Sequence, residues 1–206
     1  TTDFGLLPLI VIVGQTSSGK SDLAINLAKK FNGEIISADS RQVYTGLDIG
    51  TGKITKREQR MVRHHLLDVA LPGRQYSLSQ FKKAADTIIE DIHSRGKIPF
   101  LVGGTQLYVK AVVENYSVPI ARPSAKLRKK LEAMTLQKLQ AHLKKKDPLA
   151  YEHVDLNNPR RIIRALEVVE ATGKSFWSLR QKQEPRYDAL MLGIEVPQHE
   201  LYRRID

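Results

Sequence analysis

The chain has 206 residues, 41% of them hydrophobic, which is enough to bury the core of one domain, or of a core with an insertion, and excludes a disordered or fibrous protein. It contains no cysteine, so it carries no disulfide framework and no thiolate metal site, and no apolar run nears the roughly 20 residues of a membrane-spanning helix. Its 33 basic against 22 acidic residues leave a net charge of +11, which favours polyanionic partners, and a cytoplasmic monomer away from membranes is the default expectation.

Leu9 to Val13 is a continuous apolar run, as expected of a strand buried on both faces of a parallel sheet. A glycine-rich turn follows, and then Leu23, Leu27, Ala28 and Phe31 recur at helical spacing until Gly33 closes the segment. Glu34 to Ala38 reads as a second strand, ending at Asp39. Ser79 to Arg95 is an amphipathic helix, with Phe81, Ala84, Ala85, Ile88, Ile89 and Ile92 on one side and Gly96 as its stop. Ile98 to Val102 is read as the third strand, ending in Gly103-Gly104. From Tyr116 to Pro185 the sequence turns basic and helix-forming, and Asp188 to Val196 returns to a strand pattern. Strands alternating with helices predict a doubly wound parallel sheet, α/β in class and like the P-loop NTPases, with ligands beyond the carboxyl ends of the strands. The expected division is a core over 1–115, a basic helical insertion over 116–185, and a return to the core over 186–206.

Gly14-Gln15-Thr16-Ser17-Ser18-Gly19-Lys20-Ser21 fits G-x-x-x-x-G-K-[ST], and it sits between strand and helix as that motif requires. Loop amides and the helix N-terminus form an anion nest, Lys20 adds a cation, and the Ser21 hydroxyl is placed for Mg²⁺. The motif does not say which phosphate compound is bound. A nucleotide hydrolase usually needs an acidic residue at a strand end to order the metal's water shell, yet the strand at Ile98 ends in Gly103-Gly104-Thr105. Asp39 is read as the only carboxylate well placed beside the loop.

Further blocks follow the motif in order: Asp39-Ser40-Arg41-Gln42-Val43-Tyr44, Gly46 to Lys53, His64 to Asp68, Gly103-Gly104-Thr105 with Leu107-Tyr108 and Lys110, Asp147-Pro148, Asn157 to Val168, and Leu201 to Asp206. Together they resemble the tRNA dimethylallyltransferase family. The resemblance implies that the loop holds the diphosphate of dimethylallyl diphosphate rather than ATP, with Mg²⁺ at Ser21, and that N6 of adenosine 37 in the tRNA anticodon stem-loop attacks the allylic carbon. It implies a catalytic set of Lys20, Asp39 as general base and Thr105 as a hydroxyl contact to the amine. It also implies tRNA contacts from Asp39, Ser40, Arg41, Gln42, Thr105, Arg128, Arg160, Arg161, Ile162, Ile163 and Arg164. Family members run beyond Asp206, with an arginine two residues further on expected to clamp the diphosphate.

The charge distribution agrees with an RNA partner, because nine Lys and Arg between Arg122 and Lys146 face one acid, Glu132. Gln106, Arg122 and Arg63 depart from the family pattern, which more often has glycine, aspartate and proline there. His64-His65 and Phe176-Trp177 are set aside as structural. Three rival functions remain: a shikimate-type P-loop kinase, an adenylate isopentenyltransferase that uses a free nucleotide, and a P-loop RNA-binding protein without catalysis.

Overall fold

Leu7–Gly14 forms the first strand, β1, two residues longer at its start than the apolar run and one longer at its end. In the computed structural model, which describes residues 5–117, 124–180 and 183–205, β1 is joined by β2 (Gly33–Ser37), β3 (His64–His65), β4 (Ile98–Gly103) and β5 (Tyr187–Ile194). All pairings are parallel and the order is β3-β2-β4-β1-β5. Val11 lies opposite Leu101 on one side and Met191 on the other, so the apolar run is flanked by strands on both sides. β3 corrects the sequence reading, which made Ile98 to Val102 the third strand. Its two residues, paired with Ile35 and Ile36, are too few to show a period-two pattern.

Four helices build on this sheet: α1 (Lys20–Lys30), α2 (Lys56–Met61), α3 (Leu78–Ser94) and α4 (Gln106–Val113). α3 starts one residue earlier than expected, because Ser77 and Gln80 form a capping box that satisfies the first free amides. Phe81, Ile89 and Ile92 of α3 are fully buried with Val109 and Val112 of α4 against Leu9, Val11, Ile36 and Leu101. Each such side chain contributes about 1.5–3 kcal/mol on burial. The Phe81 and Tyr108 rings stack 3.9 Å apart and lock the two helices together. Ala24, Ile25 and Ala28 of α1 pack with Ile12, Ile35, Phe100 and Val102 in a separate cluster on the opposite face. Parallel strands direct the turns after β1, β2 and β4 to the same edge of the sheet.

At the start of β2 Glu34 is 1% exposed yet charged, because it accepts hydrogen bonds from Arg95, from Lys97 at 2.8 Å and from His65 Nε2 at 2.8 Å. The Arg95 guanidinium, helped by Lys97 and His65, holds this carboxyl well below the usual carboxylate range despite its burial.

The chain divides into two compact units, Thr1–Asn115 with Glu184–Asp206, and Tyr116–Gln183. The second contains α5 (Ala125–Glu132), α6 (Leu136–Lys146), α7 (Pro148–His153) and α8 (Pro159–Thr172). Their core comprises Leu131, Leu139, Leu143, Ile162 and Leu166 with neighbouring apolar residues. Asp147, 2% exposed, caps α7 by accepting from the Ala150 amide at 3.0 Å and takes the Phe176 amide at 2.8 Å. Asp147-Pro148 is thereby a helix start, with proline where its missing N–H costs nothing. In the first unit, α9 (Gln198–Ile205) follows β5. Among the described residues no helix is long and apolar enough to cross a membrane.

Candidate active site

β1 delivers the phosphate-binding loop and α1 carries it away. Ser17 and Gly19 both have left-handed backbones, φ 61° and 88°, the kind of local geometry that turns successive amides toward one anion. Lys20 Nζ donates to the Gln15 carbonyl and, at 3.5 Å, to Ser18 Oγ. Burial lowers the Lys20 pKa and nearby Asp39 partly offsets this, so the ammonium is desolvated but faces a countercharge.

Asp39 stands just beyond the end of β2. Its Oδ1 accepts the amides of Arg41 at 2.8 Å and Gln42 at 3.3 Å, which closes a turn and fixes the carboxylate's direction. Gln42 in turn donates to the Gly52 carbonyl at 3.1 Å and accepts from Ser37 Oγ at 3.4 Å. At the end of β4, a Cβ on Gly103 would run into the backbone of Ala38, so only glycine lets the two turns approach. That approach lets Thr105 Oγ1 accept the Ser40 amide at 3.0 Å and donate to Ser40 Oγ at 3.3 Å.

These turns enclose a cavity of about 650 Å³, lined among others by Thr16 to Ser21, Asp39, Arg41, Gln42, Gly50 to Gly52, His64, Gly103, Gly104 and Arg204. Its wall at Gly50 to Gly52 belongs to a loop latched by Lys53. The Lys53 side chain is 3% exposed, and its ammonium donates to the Tyr44 carbonyl and Asp48 at 2.7 Å and to Asp68 at 2.5 Å. Burial alone would lower its pKa, but the two carboxylates outweigh burial and raise it.

A family model described as IPP transferase matches residues 42–206. The chain belongs to the IPP transferase family. It is 44% identical over 203 residues to a tRNA dimethylallyltransferase from Thermomicrobium roseum, covering 97% of this chain and 62% of the relative. It is 46% identical over 205 residues to one from a Roseiflexus species, covering 98% and 67%. Solved structures agree. The full-length tRNA isopentenylpyrophosphate transferase of Bacillus halodurans is 42% identical with a TM-score of 0.64, over 96% of this chain and 63% of that one. A eukaryotic dimethylallyltransferase solved acting on tRNA is 33% identical with a TM-score of 0.83, over 97% and 51%. This IPP transferase chain thus spans about two thirds of the length of the curated relatives it matches.

Within it the expected residues fall into two groups. Thr16 to Ser21, Asp39, Arg41 and Gln42 line one cavity, Gly14 and Gln15 lead into the loop, and Thr105 is tied to Ser40 beside Asp39. Asp39 is not the only carboxylate there, because Asp22 and Glu58 also line the cavity. Glu58 is engaged as the capping-box partner of Thr55 at the start of α2, a role its sequence spacing could have shown.

In the helical unit the expectation needs correcting. Ile162 and Ile163 are 0% and 7% exposed and form core, so their side chains offer no surface to RNA. Arg128 makes a two-pronged pair with buried Glu167 at 2.8 and 2.7 Å, which raises its pKa and balances its charge with that of the carboxylate. Arg164 approaches the same carboxylate at 3.6 Å, and Arg161 lies 3.5 Å from Asp155. Arg160 is exposed, as are Lys126, Lys129 and Lys130 along α5, whereas Arg122 lies outside the described residues. Sequence reasoning missed His64, Lys53 and Arg204. His64 holds Nδ1 2.8 Å from the Val62 carbonyl while burial lowers its pKa, which favours the neutral ring.

Proposed function

We propose that this chain transfers the dimethylallyl group of dimethylallyl diphosphate to N6 of adenosine 37 in tRNA. The observation that carries the reading is the single cavity shared by the phosphate loop, Asp39 and the glycine turn after β4, with Thr105 bound to the residue next to Asp39. Family membership supports the same activity. The fold is read as a P-loop NTPase-like doubly wound sheet put to diphosphate rather than ATP, since β4 ends in glycines and not in an acid. The unit of residues 116–183 is read as the basic insertion that helps hold the tRNA.

On this reading the loop amides and Lys20 face the diphosphate and stabilise the charge that grows as the allylic C–O bond breaks. The low local polarity that lowers the Lys20 pKa also strengthens its attraction to that charge. The adenine amine attacks the allylic carbon, forming the C–N bond. Asp39, oriented through Oδ1 by two backbone amides, takes the amine proton, and the Thr105 hydroxyl positions the amine. Diphosphate leaves with the electron pair of the broken bond.

The Ser21 hydroxyl and the Asp39 carboxylate bring hard oxygen donors to one cavity, a set that fits Mg²⁺ held mainly by substrate phosphates and water. Bound there by Ser21, Mg²⁺ would supply further neutralisation of the leaving diphosphate. The target base has to leave the anticodon loop stack to reach this cavity. Ser40, Arg41 and Gln42 beside the cavity, with exposed Arg160 and the α5 lysines, are the proposed RNA contacts.

The test is nucleoside mass analysis of tRNA incubated with the chain, Mg²⁺ and dimethylallyl diphosphate. N6-dimethylallyladenosine at position 37 is the expected product. Prenylation of free adenylate but not tRNA would indicate a nucleotide-specific transferase instead.

A further inference from the structure

Two carbonyls of the phosphate loop are held by cations, one of them supplied from the far end of the chain. Lys20 holds the Gln15 carbonyl. Arg204 of α9 donates through NH1 to the Ser17 carbonyl at 3.2 Å, and through NH2 to Glu200 one helical turn earlier at 2.9 Å. Ser17 is the non-glycine loop residue with a left-handed backbone, φ 61°, a conformation that costs energy and persists only where surroundings impose it. Arg204 also lines the cavity with Thr16 to Ser21.

We propose that Arg204 is a positioning residue for the diphosphate-binding loop: it keeps the Ser17 carbonyl turned away from the anion and adds a cation to the cavity wall. A carbonyl swung toward a diphosphate would repel it, whereas one held outward leaves the amides to face the anion. When Lys20 engages a phosphate, its three N–H donors are shared between that anion, Gln15 and Ser18, which loosens its hold on the loop. Arg204 keeps its grip on Ser17 and preserves the loop at that moment. Glu200 aims the guanidinium fork, whose geometry a lysine cannot reproduce. This gives α9 a part in shaping the phosphate loop, distinct from a direct clamp on the diphosphate.

The inference rests on the diphosphate reading above, and the experiment separates the two. Inorganic pyrophosphate with Mg²⁺ is titrated calorimetrically into the unmodified chain, Arg204→Met and Arg204→Lys, and melting of the unliganded forms is recorded. Arg204 is a half-exposed surface residue, so Arg204→Met should melt within a few degrees of the unmodified chain. Its pyrophosphate affinity should fall by about tenfold or more, the range for a lost charge-assisted hydrogen bond. Arg204→Lys should recover only part of that loss. In prenyl transfer the donor KM should rise while kcat at saturating donor stays within about threefold, a split that general destabilisation does not produce.

Pyrophosphate affinity of Arg204→Met within about threefold of the unmodified chain overturns the role of Arg204 and leaves the diphosphate reading standing. No binding to the unmodified chain overturns that reading and this inference with it. Should Arg204→Met unfold, Arg204→Lys decides: a loss above about threefold supports the proposal, and a smaller one overturns it.

Discussion

Thr105 Oγ1 accepts the amide hydrogen of Ser40 at 3.0 Å, across 65 residues of sequence, and so ties the turn after β4 to the residue that follows Asp39. The base and the proposed amine-binding hydroxyl are thereby one structural unit. Thr105→Val keeps the shape but leaves the Ser40 amide and hydroxyl without this partner. Stability should drop by about 1 kcal/mol, seen as a fall in Tm of about 2–4 °C. Prenyl transfer should fall by at least about tenfold in kcat/KM. Full activity with the expected loss of stability would make Thr105 structural only.

Lys20→Ala removes the cation that donates to the Gln15 carbonyl. It takes away no core contact, so far-UV circular dichroism and Tm should hold, while calorimetric affinity for dimethylallyl diphosphate should be lost. Retained donor affinity would contradict the assignment of the loop.

Reversing Lys129 and Lys130 to Glu tests the exposed face of α5. Each lost phosphate contact should flatten the slope of log K against log salt by roughly 0.9 for duplex or 0.7 for single-stranded RNA, with donor affinity unchanged. Arg128 is a poorer probe, because removing it leaves Glu167 buried without its main partner and damages the fold. An unchanged salt slope would make α5 a merely solvated face.

Glu34 links the fold to pH. Its carboxyl is held below the ordinary 4.5, so its stabilisation is complete above that value and is lost as pH falls further below it. Thermal melts should show a steep loss of stability for the unmodified chain between about pH 4.5 and pH 2. Glu34→Gln should be less stable at pH 7 by about 2 kcal/mol, since it leaves Lys97 without its carboxylate and Arg95 with Asp91 alone. Its acid profile should be flatter, and identical slopes would mean that other carboxylates govern acid unfolding.

Much of this was legible in the sequence, for particular physical reasons. The run Leu9 to Val13, the glycine pattern to Ser21 and the α3 periodicity each encode local structure within one window, and each reappears in the fold with shifted ends. Asp39 and Thr105 were legible as motif residues, but the contact that joins their turns was not, because it depends on Gly103 sitting against Ala38. Lys53 lay in a polar, glycine-rich stretch where nothing forecasts a buried ammonium; only Asp48 and Asp68 converging on it make burial affordable. Arg128, Ile162 and Ile163 show the converse. A basic or apolar residue in a matching block does not say which way it faces, and here Glu167 and the helical core took them.

The account turns on Asp39 as the base, and one measurement tests it most directly. Asp39→Asn keeps the size of the side chain and an acceptor for the Arg41 and Gln42 amides, but it cannot take a proton. Rapid-quench single-turnover prenyl transfer, with tRNA and donor saturating, isolates the chemical step. The rate should fall by about 10²- to 10⁴-fold while both affinities stay within about threefold. A rate within about threefold of the unmodified enzyme would contradict the account: Asp39 would then only orient the turn, and departure of the diphosphate from the loop would carry the barrier alone.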